Sequence, residues 1–140
     1  MRTVKLMLGL SSLLLFTAAC SNSNSLSFEE ASEKGYVVYG HSETVNYDVF
    51  EKFIQAYENN EDAEVKLVVY TIEGDPIFHT LSYNDKQIKY TYDNRQDMNS
   101  KQEKVSTTCT SLSSKEHVYY LSDCADTDIG QRFSAEEKEN

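Results

Sequence analysis

Cysteine, histidine and carboxylate are the side chains here with chemistry to offer, and their spacing limits what that chemistry is. Three histidines, His41, His79 and His117, are scattered with no metal-ligand spacing. Glu73, Asp75 and His79 gather around one turn, and a carboxylate beside an imidazole is a minimal acid–base pair. They are therefore the first candidates for a surface site. The competing reading is that Glu73-Gly74-Asp75-Pro76 is simply a hairpin turn. No nucleophile elbow, zinc-protease motif, phosphate loop or glycine-rich dinucleotide fingerprint occurs in the chain. The residues thus point to no catalytic, cofactor-binding or metal-binding group, and a non-enzymatic role is expected.

The cysteines are more informative. Arg2 and Lys5 precede an apolar stretch at 6–16, which has the length of a signal-peptide core. It is too short to span a bilayer, which takes about 20 apolar residues. Leu15-Phe16-Thr17-Ala18-Ala19-Cys20 then resembles the bacterial lipobox, whose cysteine receives a diacylglyceryl group before cleavage on its N-terminal side. This predicts a signal peptide at 1–19, cleavage between Ala19 and Cys20, and a lipid on Cys20. Each buried CH₂ contributes roughly 0.8 kcal/mol, and one chain anchors only marginally, so the two or three chains of such a cysteine hold firmly. The plain alternative is a secreted protein with an incidental cysteine. Either way the chain is expected outside the cell, and with the lipid it sits on the outer face of the cell membrane.

Lipidation also changes the cysteine arithmetic. With Cys20 removed from the count, Cys109 and Cys124 remain as a pair in a compartment where thiols oxidise. A bridge between them closes a loop of about 16 residues, worth on the order of 3 kcal/mol by chain entropy. Metal binding is the runner-up, although the pair lacks a CxxC spacing and only His117 lies between the two cysteines.

Composition narrows the partners. Cleavage would remove Arg2 and Lys5, leaving 11 basic against 23 acidic residues and a formal charge of −12. Such a surface disfavours nucleic acid and docking onto anionic lipid, so acyl chains must supply the membrane affinity. It leaves room for a basic partner. Ten tyrosines and no tryptophan fit half-buried strands, where the ring packs and the hydroxyl stays wet. The alternative is an aromatic face for sugar, peptide or protein.

The elements that would position these residues follow from periodicity. Residues 20–35 read as a lipidated cysteine and flexible tether, whose ends lie about 20 Å apart as a random coil. A short strand is expected at 36–39. Asn46 then caps a helix over 47–59, with Phe50, Phe53, Ile54 and Tyr57 on one stripe. Beyond it the period falls to 2, predicting strands at 64–72, 77–83, 87–92, 104–112 and 117–121, with the last hairpin turning at 113–116. That turn opposes Cys109 to Tyr120 rather than Cys124, so either Cys124 folds back or the loop is wider. The expected fold is α+β, an antiparallel five- to six-stranded meander with one helix packed on one face. A small calycin-like barrel is the alternative. The single domain covers 36–125, and 126–140 is expected to be an acidic, disordered tail.

Three segments carry a family resemblance: Tyr70-Thr71-Ile72-Glu73-Gly74-Asp75-Pro76-Ile77-Phe78, Ile88-Lys89-Tyr90-Thr91-Tyr92-Asp93 and Ser106-Thr107-Thr108-Cys109. Over about 37–124 the chain resembles an uncharacterised family of small lipoproteins from Bacillus-type bacteria. The resemblance implies a lipobox, one small domain, a paired cysteine and a one-membrane cell, with no established activity and no functional residue to carry over. The leading expectation is a membrane-anchored binding module for a protein, peptide or wall component. An inhibitor or immunity-type lipoprotein masking a basic enzyme or toxin comes second. A small-ligand binder, or a hydrolase with an unrecognised site, comes third.

Overall fold

The helix with the clear stripe forms where its periodicity requires. In the computed structural model, which describes residues 25–137, α2 runs over Tyr47–Glu58 and buries Tyr47, Phe50 and Phe53. Asn46 occupies the N-cap position, as expected, but not as a side-chain cap. That residue takes a left-handed conformation (φ 58°) and makes no side-chain cap bond. Its amide instead donates to the carbonyls of Ser32 (2.9 Å) and Tyr36 (3.0 Å), tying the start of α2 to the segment before it.

Around α2 wraps one sheet of eight strands in the order β2-β1-β3-β4-β5-β6-β7-β8. They are β1 (Val37–Tyr39), β2 (Thr44–Val45), β3 (Ala63–Tyr70), β4 (Pro76–Asn84), β5 (Gln87–Asp93), β6 (Lys104–Lys115), β7 (Val118–Cys124) and β8 (Ser134–Glu136). From β3 to β8 each strand pairs antiparallel with the next, which is the expected meander. The strand count exceeds the expected five to six, and β1 runs parallel to β3, with α2 in the connection between them. A parallel neighbour needs such a crossover.

The sheet is curled into a half-barrel rather than laid flat under the helix. Aromatic contacts from α2 show the curl. Tyr57 meets Tyr83 of β4 at 5.0 Å between ring centroids, and Phe50 meets Tyr119 of β7 at 5.3 Å. The Tyr57 hydroxyl also accepts from the Leu112 amide of β6. The concave core collects Val37, Val65, Leu67, Leu81, Ile88, Tyr90 and Cys109, all essentially without exposure. The fold therefore lies between the open sheet and the closed barrel weighed from the sequence.

Two further expectations give way. Residues 26–35 are not a tether throughout: α1 covers Phe28–Glu33 and opens with a capping box between Ser27 and Glu30. It lies on the convex face, where Ala31 packs with Val38 and Val68. Leu26 is held as well, its amide donating to Gln96 and its carbonyl accepting from Tyr70. Residues 126–137 are not disordered either. Asp126 caps the short helix α3 (Thr127–Gly130), and β8 follows with Phe133 and Ala135 buried. Burial of Phe133 explains the difference, because a single aromatic ring can hold a short tail against a core.

The last hairpin also turns elsewhere. β6 continues to Lys115, and Glu116 and His117 both take left-handed backbone (φ 52° and 63°), so Lys115 pairs with Val118. That two-residue turn shifts the register and sets Cys109 directly opposite Cys124.

Candidate functional site

The three residues first singled out do not converge. Gly74 supplies the left-handed position (φ 89°) of the β3–β4 turn, with Thr71 donating to the Asp75 carbonyl. Glu73 is exposed there, and the Asp75 carboxylate accepts from the Met98 amide, bracing the β5–β6 loop. His79 is four residues further along β4, on the concave side. Its Nδ1 lies 2.8 Å from the Tyr90 hydroxyl, and its ring packs against Tyr90, Tyr92 and Phe133. Burial lowers its pKa to about 4, so the imidazole is neutral at physiological pH. Arg132 closes this pocket from outside, its guanidinium 4.9 Å from the Tyr92 ring centre and bonded to Glu103 at 2.6 Å. Among the described residues no carboxylate is bonded to His79, so acid–base chemistry between Glu73, Asp75 and His79 has no geometry to support it.

The other histidines are placed apart from it. His117 sits in the exposed β6–β7 turn, 3.0 Å from Glu137, and His41 lies in the β1–β2 loop. Among the described residues, no group of three or more His, Cys, Asp or Glu side chains could hold a metal ion.

Cys109 and Cys124 form a disulfide with their Cα atoms 3.9 Å apart. At the neighbouring pair, Thr110 and Asp123, the ladder is interrupted and Asp123 has φ 53°. Face alternation changes phase there, so Cys109 and Leu112 both turn inward. Gly130 of α3 lies directly over the bridge. A Cβ at Gly130 would collide with the Cys124 sulfur and come within 2.9 Å of its Cβ. The bridge is a covered structural brace, not an exposed thiol pair.

What the fold does open is a cleft where the two ends of the curled sheet approach. It encloses about 640 Å³ between the β1–β2 loop (residues 40–43), the end of β3 at Val69 and Tyr70, and β8 with Glu137. Gly40 permits the loop's path, since a Cβ there would sit 2.7 Å from the Phe28 ring. The Tyr39 hydroxyl crosses the gap and donates to the Glu136 carbonyl at 3.2 Å. Burial, with Tyr47 and Glu136 nearby, pushes that hydroxyl's pKa up. Tyr70 is pushed up to about 12 by burial and by Glu29 and Glu30. Glu137 accepts from Ser114 and His117, which hold its carboxyl below the ordinary glutamate value. A second hollow of about 430 Å³ shares residues 40–43 and Tyr70 and adds Phe28.

Among the described residues the cleft lining contains Glu43, Glu136 and Glu137 and no lysine or arginine. Its residues come from 39–44, 69–70 and 134–137, so no local motif announces it. The excess of acidic residues and of tyrosines is the only trace in the sequence. Such a lining suits a cationic, hydrogen-bonding partner.

A family model described as a domain of unknown function (DUF4362) matches residues 34–120. No curated protein and no solved structure matches the chain.

Proposed function

We propose that this chain, which belongs to the DUF4362 family of domains of unknown function, is a lipid-anchored binding module outside the cell. Its partner is a protein, peptide or wall component that presents positive charge to the acidic cleft. The observation that carries this reading is the cleft itself, open at the meeting edges of the sheet and lined by three glutamates and two tyrosines. The anchor rests on Arg2, Lys5, the apolar run and Ala19-Cys20, all of which lie outside the described residues. With Cys20 acylated, some five residues would separate the bilayer from Leu26, so the domain would work close to the membrane.

Two measurements test it. A photo-reactive side chain at Ser42, inside the cleft, should give discrete adducts on intact cells that the same group at Asp85, in the β4–β5 turn, does not. Equal adducts from both positions, or none from Ser42, would remove the cleft from consideration. Separately, an alkyne-tagged fatty acid fed to cells should label the native chain and not Cys20→Ser; an unlabelled native chain would refute the anchor.

A further inference from the structure

The hydrogen-bonding phase of β8 says more about the partner. Glu137 donates its amide to the His117 carbonyl at 2.8 Å, so the residue pair 137–117 is hydrogen-bonded. In an antiparallel ladder such pairs alternate with unbonded ones. Ala135 therefore faces β7, whereas the peptide groups of Ser134 and Glu136 point away from it, towards the cleft. The Tyr39 hydroxyl confirms that direction, because it reaches the outward Glu136 carbonyl from β1. It stands where the amide of a further strand would stand.

The opposite wall has the same character. Gly40 donates to the Glu43 carbonyl at 2.9 Å, so the next pair, Tyr39 and Thr44, is unbonded and the Thr44 peptide group faces away from β1. Two strand edges thus border one cleft whose charged lining side chains, Glu43, Glu136 and Glu137, are all carboxylates.

Resting on the cleft as the binding site, we propose that β8 accepts an extended, lysine- or arginine-bearing peptide segment as an added strand. The main chain of the segment would pair with Ser134 and, by displacing the Tyr39 hydroxyl, with Glu136, and its basic side chains would meet Glu43, Glu136 and Glu137. Main-chain pairing supplies affinity in this mode and side chains supply selectivity. A second copy of this chain is a poor occupant, since it carries a formal charge of −10 to an acidic groove. The short edge, three residues in β8, implies weak binding, with a Kd on the order of micromolar to millimolar.

The test uses the full-length chain in non-ionic micelles and fluorescence anisotropy with a short labelled peptide of alternating lysine and valine. That peptide should bind at low salt, and its glutamate–valine counterpart should not. Methylating the amide nitrogens of its central residues should weaken binding about ten-fold or more. Glu43→Gln with Glu136→Gln should weaken it to a similar degree. Ser134→Pro removes an outward donor at the first residue of an edge strand, a position where proline is tolerated, and should mimic peptide methylation. If Ser134→Pro fails to fold, the methylated peptide decides alone. Equal binding of methylated peptide, or of spermine, would overturn strand addition while leaving an acidic cation-binding cleft. If no lysine–valine peptide binds but Ser42 still cross-links selectively on cells, strand addition falls and the cleft reading survives. If both fail, both fall.

Discussion

His79 is neutral because it is buried, and that neutrality has a cost in acid. Its neighbours are Tyr90, Tyr92 and Phe133, with Arg132 over the outer ring, so among the described residues no anion stabilises an imidazolium. The folded pKa is lowered to about 4, below the unfolded value near 6.5. Between those values the unfolded chain binds a proton that the folded chain refuses, so stability rises with pH across this window. The contribution is complete above about 6.5 and is lost as pH falls towards 4, amounting to on the order of 3 kcal/mol. Urea midpoints measured from pH 7 to 4 should therefore fall more steeply for the native chain than for His79→Leu. That variant should itself start lower, because it leaves the Tyr90 hydroxyl without its partner, at a cost of roughly 1–3 kcal/mol. Parallel pH profiles for the two proteins would show that His79 is not the titrating group. Asp75 offers a simpler substitution. Its carboxylate accepts the Met98 amide at 3.0 Å across two loops, and Asp75→Ala should cost about 1 kcal/mol and speed hydrogen exchange at Met98. An unchanged exchange rate would rule out the brace.

Among the elements, α3 and the disulfide act as one unit. The bridge joins β6 to β7, and α3 rests on it through the one residue without a side chain in the way, Gly130. Gly130→Ala should destabilise the protein by about 1–3 kcal/mol through overpacking. In a Cys109→Ala, Cys124→Ala background the sulfur is gone, and the same substitution should cost much less. A thermal-melt double-mutant cycle measures that coupling, and additive effects would refute the contact. These elements were unevenly legible in the sequence. The apolar stripe of α2 and the alternation of β3 to β5 are periodic, and periodicity is set by which face must be buried, so both were readable. The pairing of Cys109 with Cys124 was readable from oxidation chemistry, but its register was not. Glu116-His117 is a left-handed turn without glycine or asparagine, so the turn signals around Ser113 pointed two residues too early. The capping box at Ser27 and Glu30 was present in the sequence, but a helix of 6 residues forms mainly because Phe28 and Ala31 find a surface. The position of the cleft was not legible, since it exists only once the two ends of the sheet meet.

That meeting depends on the whole chain, and most sharply on its end. β8 completes the order of the sheet, and Phe133, 1 % exposed, packs against Tyr90 and His79 beneath it. Composition had made this stretch look like a frayed acidic tail, because one aromatic among charges says nothing of where that ring will sit. Structurally it is the lid of the concave core and one wall of the cleft. A chain ending at Ala125 should therefore fail to fold cooperatively, losing the Phe133 contacts, the cap of α3 over the disulfide and the outer strand together. Phe133→Ala separates these losses. It should keep the chain intact while lowering stability by about 3–5 kcal/mol, the range for emptying a buried aromatic site. Near-UV circular dichroism should report the change, because the tyrosines around Phe133 would lose their fixed environment. If Phe133→Ala melts like the parent, β8 is not held by the core. The cleft would then lack a stable wall, and the binding proposed for it would fail for a reason independent of charge.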